Sequence, residues 1–255
     1  MMRAYVNRTE MGKAAAADIA ACMEKLLAEK ETSHRHNLEN FDRTGALLIV
    51  LFFSLLLCIP SFGQNFGWTS PLPWNRVNAF HMDEYEGLSK DHPQSFGHYL
   101  DEHVFKKVPF KNVYYVADYQ EAYEELMEQN PIDIVCLGIG ENGHIAFNDP
   151  GVADFNDPKR IKKAKLDDVC RMQQVHDGCF PTFEDVPEYA YTLTIPQMVS
   201  ADYMFCVVPA PTKAEAVYRT MTEEVNDQCP ATIMRRHDNA IMYCDADSAV
   251  KLLET

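Results

Sequence analysis

The feature that most constrains the fold is a series of short apolar runs separated by segments of helical periodicity. Helix-length segments at 93–105, 118–129, 212–222 and 247–253 lie between many of the runs. Continuous apolar strands that alternate with helices are typical of a parallel sheet buried on both sides. We therefore predict an α/β fold with a mainly parallel sheet flanked by helices on both faces, a Rossmann-like three-layer sandwich. The predicted strands are 76–82, 112–116, 132–139, 189–195, 203–208 and 239–244.

The N-terminal segment from about 10 to 30 is predicted as an amphipathic helix that packs on the sheet. Its apolar residues recur every four positions, which places them on one helix face. The polar segment 31–45 that follows contains turn residues and is predicted as a loop. The residues of the apolar stripe are Met11, Ala15, Ile19, Met23 and Leu27.

The segment 45–63 is anomalous because it carries no charged residue. Pro60, Ser61 and Gly63 interrupt it, and the remaining apolar part is shorter than the roughly 20 residues that a membrane-spanning helix needs. We predict a buried element, with membrane attachment as the less favoured alternative. The run is either a diverged strand or an error in the sequence.

Composition limits the classes of partner. The 255 residues are 47% hydrophobic, which is enough for one domain over 1–255 with its own core. A net charge of −15 disfavours nucleic acid and anionic membranes, so an anionic ligand must be bound by local charges. The 8 cysteines form no C-x-x-C pair, which favours buried thiols in a cytoplasmic protein over disulfides or a zinc site.

The first candidate for chemistry follows the strand 76–82. Asp83 and Glu84 come directly after it, and Gly87 then turns the chain. A partly buried carboxylate at a strand end can act as a general base if burial raises its pKa. The alternative is a solvated acidic loop or a helix cap.

The second candidate is "GIGENGHIAFNDP", residues 138–150, after the apolar run 132–137. Its glycines allow close approach of the backbone to a ligand, and His144 can move a proton near neutral pH. Asn142 and Asp149 flank the histidine and can hydrogen-bond its ring. The glycine spacing leaves a dinucleotide site open, although a histidine follows it where a helix and a ribose-binding acid are required.

The third candidate is "VVPAPTKAEAVYRTM", residues 207–221. Thr212 and Glu215 have capping-box spacing, which predicts a helix start. Lys213 in the first turn opposes the helix dipole, so a bound anion explains its position better than an ordinary exposed lysine. The three candidates together predict a site for a small anionic metabolite, with no metal or cofactor.

Five stretches in order carry a resemblance to a known family: "FHMDEYEGL", "DHPQSF", "GIGENGHIAFNDP", "YTLTIPQM" and "PTKAEAV". With them the chain resembles the glucosamine-6-phosphate deaminase/isomerase family, which is related to the 6-phosphogluconolactonases. The resemblance runs from about 11 to 249 and is weakest at 40–73. It implies conversion of glucosamine 6-phosphate and water to fructose 6-phosphate and ammonia.

The resemblance also implies roles for individual residues. His144 would carry the proton that opens the sugar ring, with Asn142 and Asp149 in the positions of its acidic helpers. Asp83 would move a proton from C2 to C1 of the open chain. Lys213 would hold the phosphate.

Further binding residues follow from the same resemblance, together with departures from the family pattern. Gly143, Arg171 and Ser61 would contact the substrate. The family pattern has aspartate at 142, glutamate at 149, two arginines around 171–180 and a small-residue phosphate loop within 40–66. These differences keep two alternatives open, a sugar-phosphate-binding protein with impaired or absent catalysis and a 6-phosphogluconolactonase-like hydrolase. The expected partner is a sugar phosphate, and a homo-oligomer is left open.

Overall fold

The computed structural model describes residues 1–36, 47–51, 72–117 and 122–253, with the backbone alone at 32–36 and 47–51. Most of the apolar segment 45–63, the end of the predicted loop 31–45 and Ser61 lie outside these ranges. Within the described ranges, no helix is long and apolar enough to cross a membrane.

The main sheet confirms the predicted α/β class. Seven of the described strands pair in parallel in the order β1-β10-β9-β6-β2-β3-β5, and β2 lies inside the anomalous apolar segment. The strands are β1 Met2–Tyr5, β2 Leu47–Leu51, β3 Val77–His81, β4 Asp83–Tyr85, β5 Asn112–Tyr114, β6 Ile134–Leu137, β7 Ile161–Lys165, β8 Tyr189–Leu193, β9 Tyr203–Val208 and β10 Ala240–Asp245.

The described helices are α1 Arg8–His36, α2 Phe96–Leu100, α3 Tyr123–Gln129, α4 Asp168–His176, α5 Ile195–Val199, α6 Ala214–Thr222 and α7 Val250–Leu253. A π-helical turn, Asp101–Phe105, continues α2. Short 3-10 turns lie at Trp74–Arg76, Phe183–Asp185, Pro211–Lys213 and Pro230–Arg236.

Helix α1 confirms the predicted apolar stripe and extends beyond the predicted end. The Asn7 side chain accepts a hydrogen bond from the backbone N–H of Glu10 at 2.9 Å, which satisfies one N–H of the first turn. Met11, Ile19 and Met23 are buried against the sheet. The prediction of a loop from residue 31 was wrong up to His36, because a polar segment without glycine or proline can continue a helix.

Hydrophobic cores on both faces of the sheet create the three layers. Neighbouring residues of β6 point to opposite faces, so Ile134 joins the core under α1 and Val135 joins the other. The second core contains Met127 of α3, Met198 of α5 and Val217 of α6. Helices therefore flank the parallel sheet on both sides, as predicted.

A small antiparallel sheet, β4-β8-β7, lies beside the ends of the main strands. Strand β4 follows β3 after one residue, and Asp83 pairs with Thr192 of β8. The predicted strand 189–195 therefore belongs to this second sheet and not to the main one. The sequence did not indicate a second sheet, because β4 and β7, the partners of this strand, are short and polar. The sheet shares a small core with Phe96 of α2 and Cys170 of α4.

Candidate active site

The loop after β6 presents His144 against Gly140. A Cβ atom added at Gly140 would lie 2.2 Å from Cε1 of the His144 ring, which is too close for two carbon atoms that are not bonded. The Gly140 N–H donates to the His144 carbonyl at 2.9 Å and closes the loop. Gly140 therefore makes room for the imidazole ring. The sequence instead predicted that the glycines of this stretch bring the backbone close to a ligand.

Hydrogen bonds hold the same loop against β8. The Phe147 N–H donates to Thr192 Oγ1 at 3.1 Å. The Asn148 side chain donates to the carbonyls of Ile145 at 3.0 Å and Leu193 at 2.8 Å. These bonds fix the position of His144, which is 2% exposed.

Gly143, predicted to contact the substrate, packs against the protein. Its φ of +85° suits glycine, and an added Cβ would lie 2.7 Å from Cys229 Sγ. Its carbonyl accepts from the Ala231 N–H at 2.9 Å. Gly143 thus joins the loop to the 3-10 turn Pro230–Arg236.

The predicted group of His144, Asn142 and Asp149 is brought together. His144 Nδ1 lies 2.8 Å from Asp149 Oδ1, and both side chains are buried. Asn142 Nδ2 donates to the same Asp149 oxygen at 3.0 Å, and Asn142 Oδ1 accepts from the His144 N–H at 3.0 Å. A carboxylate at Nδ1 favours the tautomer with hydrogen on that nitrogen.

The charge on Asp149 is maintained by its neighbours. Burial alone would raise its pKa, but the facing imidazole of His144 and hydrogen bonds from Asn142 and the Asp167 N–H together lower the pKa below its usual value. Asp149 is therefore ionised at neutral pH and can stabilise a positive charge on the imidazole.

His144, Asp149 and Cys170 bring three potential metal ligands within 4.8 Å of one another. Burial and the carboxylates Asp149, Asp167 and Asp83 raise the pKa of the Cys170 thiol, which stays protonated. A metal at this trio would have to displace the proton of Cys170, because metals bind the thiolate. Asp83 is connected to the His144 loop through β8, because it pairs with Thr192, whose Oγ1 accepts from the Phe147 N–H.

Asp83 is buried at the start of β4. Burial and the neighbouring Glu84 raise the pKa of Asp83 well above its ordinary value. Its Oδ2 atom has no hydrogen-bond partner among the residues that the structure describes. A buried carboxylate with a perturbed pKa and an unused oxygen is typical of a functional group.

Glu84, the other half of the acidic pair, holds the start of α2. Its carboxylate accepts hydrogen bonds from the N–H groups of Tyr85 at 3.0 Å, Phe96 at 3.3 Å and Gly97 at 3.0 Å. Burial raises the pKa of Glu84 to about 7, against the opposing effect of these bonds. The alternative of a helix cap thus applies to Glu84.

Lys213 lies at the end of the turn that follows β9 and is 8% exposed. The predicted capping box does not form: α6 begins at Ala214 without a side-chain cap. Ala210 and Pro211 direct the chain into a 3-10 turn before the helix, and Glu215 pairs with Lys251 instead. The position of Lys213 at the helix start is nevertheless as predicted.

Arg171, a predicted substrate ligand, is engaged elsewhere. Its Nη2 donates to the carbonyls of Phe183 at 3.0 Å and Val186 at 2.8 Å, and its guanidinium stacks on the Phe183 ring at 4.1 Å. These contacts hold the 3-10 turn Phe183–Asp185 against α4.

A cavity of about 280 Å³ adjoins these groups. This is near the lower end of ligand pockets, which measure roughly 300–1,000 Å³, so it suits one small metabolite. His144 and Lys213 line it, whereas Asp83, Asn142, Asp149 and Arg171 do not. Its lining comprises Arg8, Phe96, Ile139, His144, Ala146, Phe147, Gln173, Gln174, His176, Asp177, Val207, Val208, Pro209, Ala210, Thr212 and Lys213.

Two strained backbone positions lie on the cavity wall. Ala146 has φ 50° and Ala210 has φ 80°, and both line the cavity. Such conformations in residues with a Cβ cost of order 1–3 kcal/mol and cluster at functional sites. The strain therefore supports a functional cavity at the ends of β6 and β9.

Sequence reasoning missed Arg8 and the residues of α4 on the cavity wall. Arg8 follows β1, whose end lies at the same edge as the ends of the other parallel strands. Recognition of the edge strand Met2–Tyr5 would have placed Arg8 at this edge. Asp167 before the segment 168–176 was an available N-cap signal for α4.

Comparisons with known proteins identify the family of this chain. Residues 61–243 match the family described as glucosamine-6-phosphate isomerases/6-phosphogluconolactonase. A glucosamine-6-phosphate deaminase of Exiguobacterium sibiricum is 39% identical over 180 residues, which are 68% of this chain and 69% of that protein. A glucosamine-6-phosphate deaminase of Bacillus cereus is 35% identical over 184 residues, which are 69% of this chain and 68% of that protein.

The fold has a counterpart among solved structures. A monomeric glucosamine-6-phosphate deaminase superposes with a TM-score of 0.82 at 22% identity, and the match covers 98% of each chain. With the family match over 61–243 and the relatives of 35–39% identity, the chain belongs to the glucosamine-6-phosphate isomerase/6-phosphogluconolactonase family.

Proposed function

We propose that the chain is a glucosamine-6-phosphate deaminase, which converts glucosamine 6-phosphate and water to fructose 6-phosphate and ammonia. The observation that carries the proposal is the buried His144–Asp149 pair beside a cavity that Lys213 also lines. The relatives of 35–39% identity are named for this activity. An aldose-ketose isomerase needs a proton carrier at the ring oxygen and a base at C2.

The charge of the cavity supports a phosphorylated substrate. Arg8 and Lys213 line the cavity, and among its lining residues Asp177 has the one carboxylate. Such a wall attracts an anion in spite of the net charge of −15. We propose that Lys213 and Arg8 contact the phosphate, while Arg171 holds the protein turn.

Proton transfer at the sugar is assigned to two groups. Because Asp149 engages Nδ1, His144 exchanges a proton with the ring oxygen through Nε2 and opens the ring. Asp83 is assigned the transfer of a proton from C2 to C1, which leaves an imine at C2. Its side chain does not line the cavity, so the assignment requires C2 of the open chain to reach past the lining residues to the Asp83 carboxylate. Water hydrolyses this imine to the ketone and releases ammonia. Asp83 must be ionised to act, so turnover requires loss of its proton.

We also propose that the enzyme works in the cytoplasm. Its buried cysteines, including Cys136, Cys206 and Cys244, suit a reducing compartment.

A substrate panel tests the function. The wild-type protein is assayed for ammonia release from glucosamine 6-phosphate and glucosamine, and for hydrolysis of 6-phosphogluconolactone. We expect ammonia from the phosphorylated amino sugar, at least about a hundredfold less from glucosamine, and no lactone hydrolysis. Lactone hydrolysis without ammonia would assign the chain to the other activity in the family. Thermal stabilisation by the sugar phosphate without either product would indicate a binding protein.

A further inference from the structure

A third side chain, Asp167, joins the pair of His144 and Asp149. Asn142 Nδ2 donates to Asp149 Oδ1 and to Asp167 Oδ2, both at 3.0 Å. The amide thus bridges two carboxylates and uses both of its hydrogens. Asn142 Oδ1 accepts from the His144 N–H at 3.0 Å, so every polar atom of the amide is engaged.

This pattern fixes the orientation of the Asn142 amide. A flipped amide would place Oδ1 against two carboxylate oxygens and the NH₂ group against the His144 N–H. Both contacts would be repulsive, so the bridge has one allowed orientation.

Asp167 is itself held in place by the start of α4. Its Oδ1 accepts from the Cys170 N–H at 2.6 Å as the N-cap, while its Oδ2 accepts from Asn142. Its own N–H donates to Asp149 Oδ2 at 3.2 Å. Asp167 therefore contacts Asp149 directly through this N–H and indirectly through the amide bridge.

The two contacts act on different oxygens of Asp149. A carboxylate rotates easily about its last side-chain bond. With Asn142 on Oδ1 and the Asp167 N–H on Oδ2, the Asp149 carboxylate is held with Oδ1 facing His144 Nδ1.

We propose that Asp167 is a positioning residue for the Asp149–His144 pair. This inference rests on the proposed function, because it takes His144 as the proton carrier of that reaction. The Asp167 carboxylate orients Asn142, and Asn142 orients Asp149 toward the imidazole. Asp167 does not line the cavity and acts on the reaction through these two side chains.

The variant Asp167→Asn separates positioning from helix capping. Asparagine caps helices as well as aspartate does. However, it offers one acceptor oxygen where Asp167 uses two, so it cannot serve Cys170 and Asn142 together. Asp168→Asn is the matched control, since Asp168 is the exposed neighbour on the same helix and the charge change is identical.

Kinetics of ammonia release give the first readout. We expect kcat of Asp167→Asn to fall about tenfold or more, part of the roughly 10²–10⁴-fold that a positioned proton carrier provides. KM should stay within about threefold, because Asp167 does not contact the substrate. Asp168→Asn should keep kcat within about twofold. An unchanged kcat in a folded Asp167→Asn variant would overturn the proposal.

Proton NMR gives a readout that needs no activity. The His144 Nδ1 hydrogen facing Asp149 should give a downfield signal in the wild type, identified by its loss in His144→Gln. We expect this signal to weaken or move upfield in Asp167→Asn and to persist in Asp168→Asn. Should the wild type release no ammonia, the proposed function fails, while persistence of the signal in Asp167→Asn would separately refute the positioning role.

The wild-type protein supplies a measurement that no folding defect can obscure. Both Nδ2 hydrogens of Asn142 should exchange with solvent much more slowly than those of the exposed Asn7, because each is held by a carboxylate. Equal exchange rates at the two asparagines would show that the bridge to Asp167 does not form, and the proposal would be wrong.

Discussion

At the level of single residues, the neighbours of Asn142 explain why an amide stands at this position. Asn142 stands where the family pattern has an acid, and the structure places it between the carboxylates of Asp149 and Asp167. A third carboxylate there would repel both and would take up a proton. An amide at 142 thus suits this surrounding, because it donates to both carboxylates without adding a charge.

A variant of Arg171 tests whether this side chain binds the substrate or stabilises the fold. Arg171→Met removes hydrogen bonds to two carbonyls, so we expect the free energy of unfolding to fall by about 1–3 kcal/mol. KM for glucosamine 6-phosphate should change by less than about threefold. Lys213→Met, from the cavity wall, should raise KM about tenfold or more. A comparable rise in KM for Arg171→Met would show that Arg171 binds phosphate.

The sequence predicted a group of neighbouring side chains correctly where a strong pattern surrounded them. His144, Asn142 and Asp149 lie within one 13-residue stretch after a buried strand, and the fold brings them into contact. Asp167 was missed because its partnership with Asn142 spans 25 positions in the chain. No local periodicity or spacing encodes such a contact.

At the scale of the element, long apolar runs predicted the main sheet well. Strands β3, β6, β9 and β10 follow the predicted runs because burial on both faces leaves an unambiguous signal. Strands β4 and β7 were missed because they are short and polar and are stabilised by pairing with β8. The end of α1 was misplaced because polarity alone does not end a helix.

The start of α2 depends on a buried carboxyl group, which makes stability dependent on pH. The pKa of Glu84 is raised to about 7, so the folded protein binds this proton more tightly than the unfolded chain. Protonated Glu84 therefore stabilises the folded state fully below about pH 4.5, and this contribution to the free energy of unfolding declines as pH rises to about 7. The decline should be about 3 kcal/mol.

Glu84→Gln isolates this effect. Urea unfolding of both proteins at several pH values gives the difference in unfolding free energy between wild type and variant. We expect this difference to shift against the wild type as pH rises from 4.5 to 7, since glutamine does not titrate. A shift in favour of the wild type would mean that the three backbone hydrogen bonds outweigh burial.

At the scale of the whole molecule, charge is distributed unevenly. The chain carries a net charge of −15, yet Arg8 and Lys213 face one cavity. The cations come from opposite ends of the sequence because the end of β1 and the end of β9 lie at the same edge of the parallel sheet. The topology thus places two cations at one cavity of an acidic protein, where we propose that the phosphate binds.

Arg8→Gln tests this electrostatic account. We expect KM for glucosamine 6-phosphate to rise about tenfold, as expected for loss of a hydrogen bond to a charged group, with kcat within about twofold. Lys13→Gln removes the same charge from an exposed site on the same helix and should leave KM unchanged. Equal effects of the two variants would indicate a general charge effect without phosphate contact at Arg8.

The most direct test of the account is the rate of ammonia release from glucosamine 6-phosphate by wild type and Asp83→Asn across pH. Because burial raises the pKa of Asp83, wild-type kcat/KM should rise with pH on the acid side as this group loses its proton. Asp83→Asn should lose about a thousandfold or more of the activity. Undiminished ammonia release by a folded Asp83→Asn would contradict the assignment of Asp83 as the base, and no ammonia from the wild type would contradict the function itself.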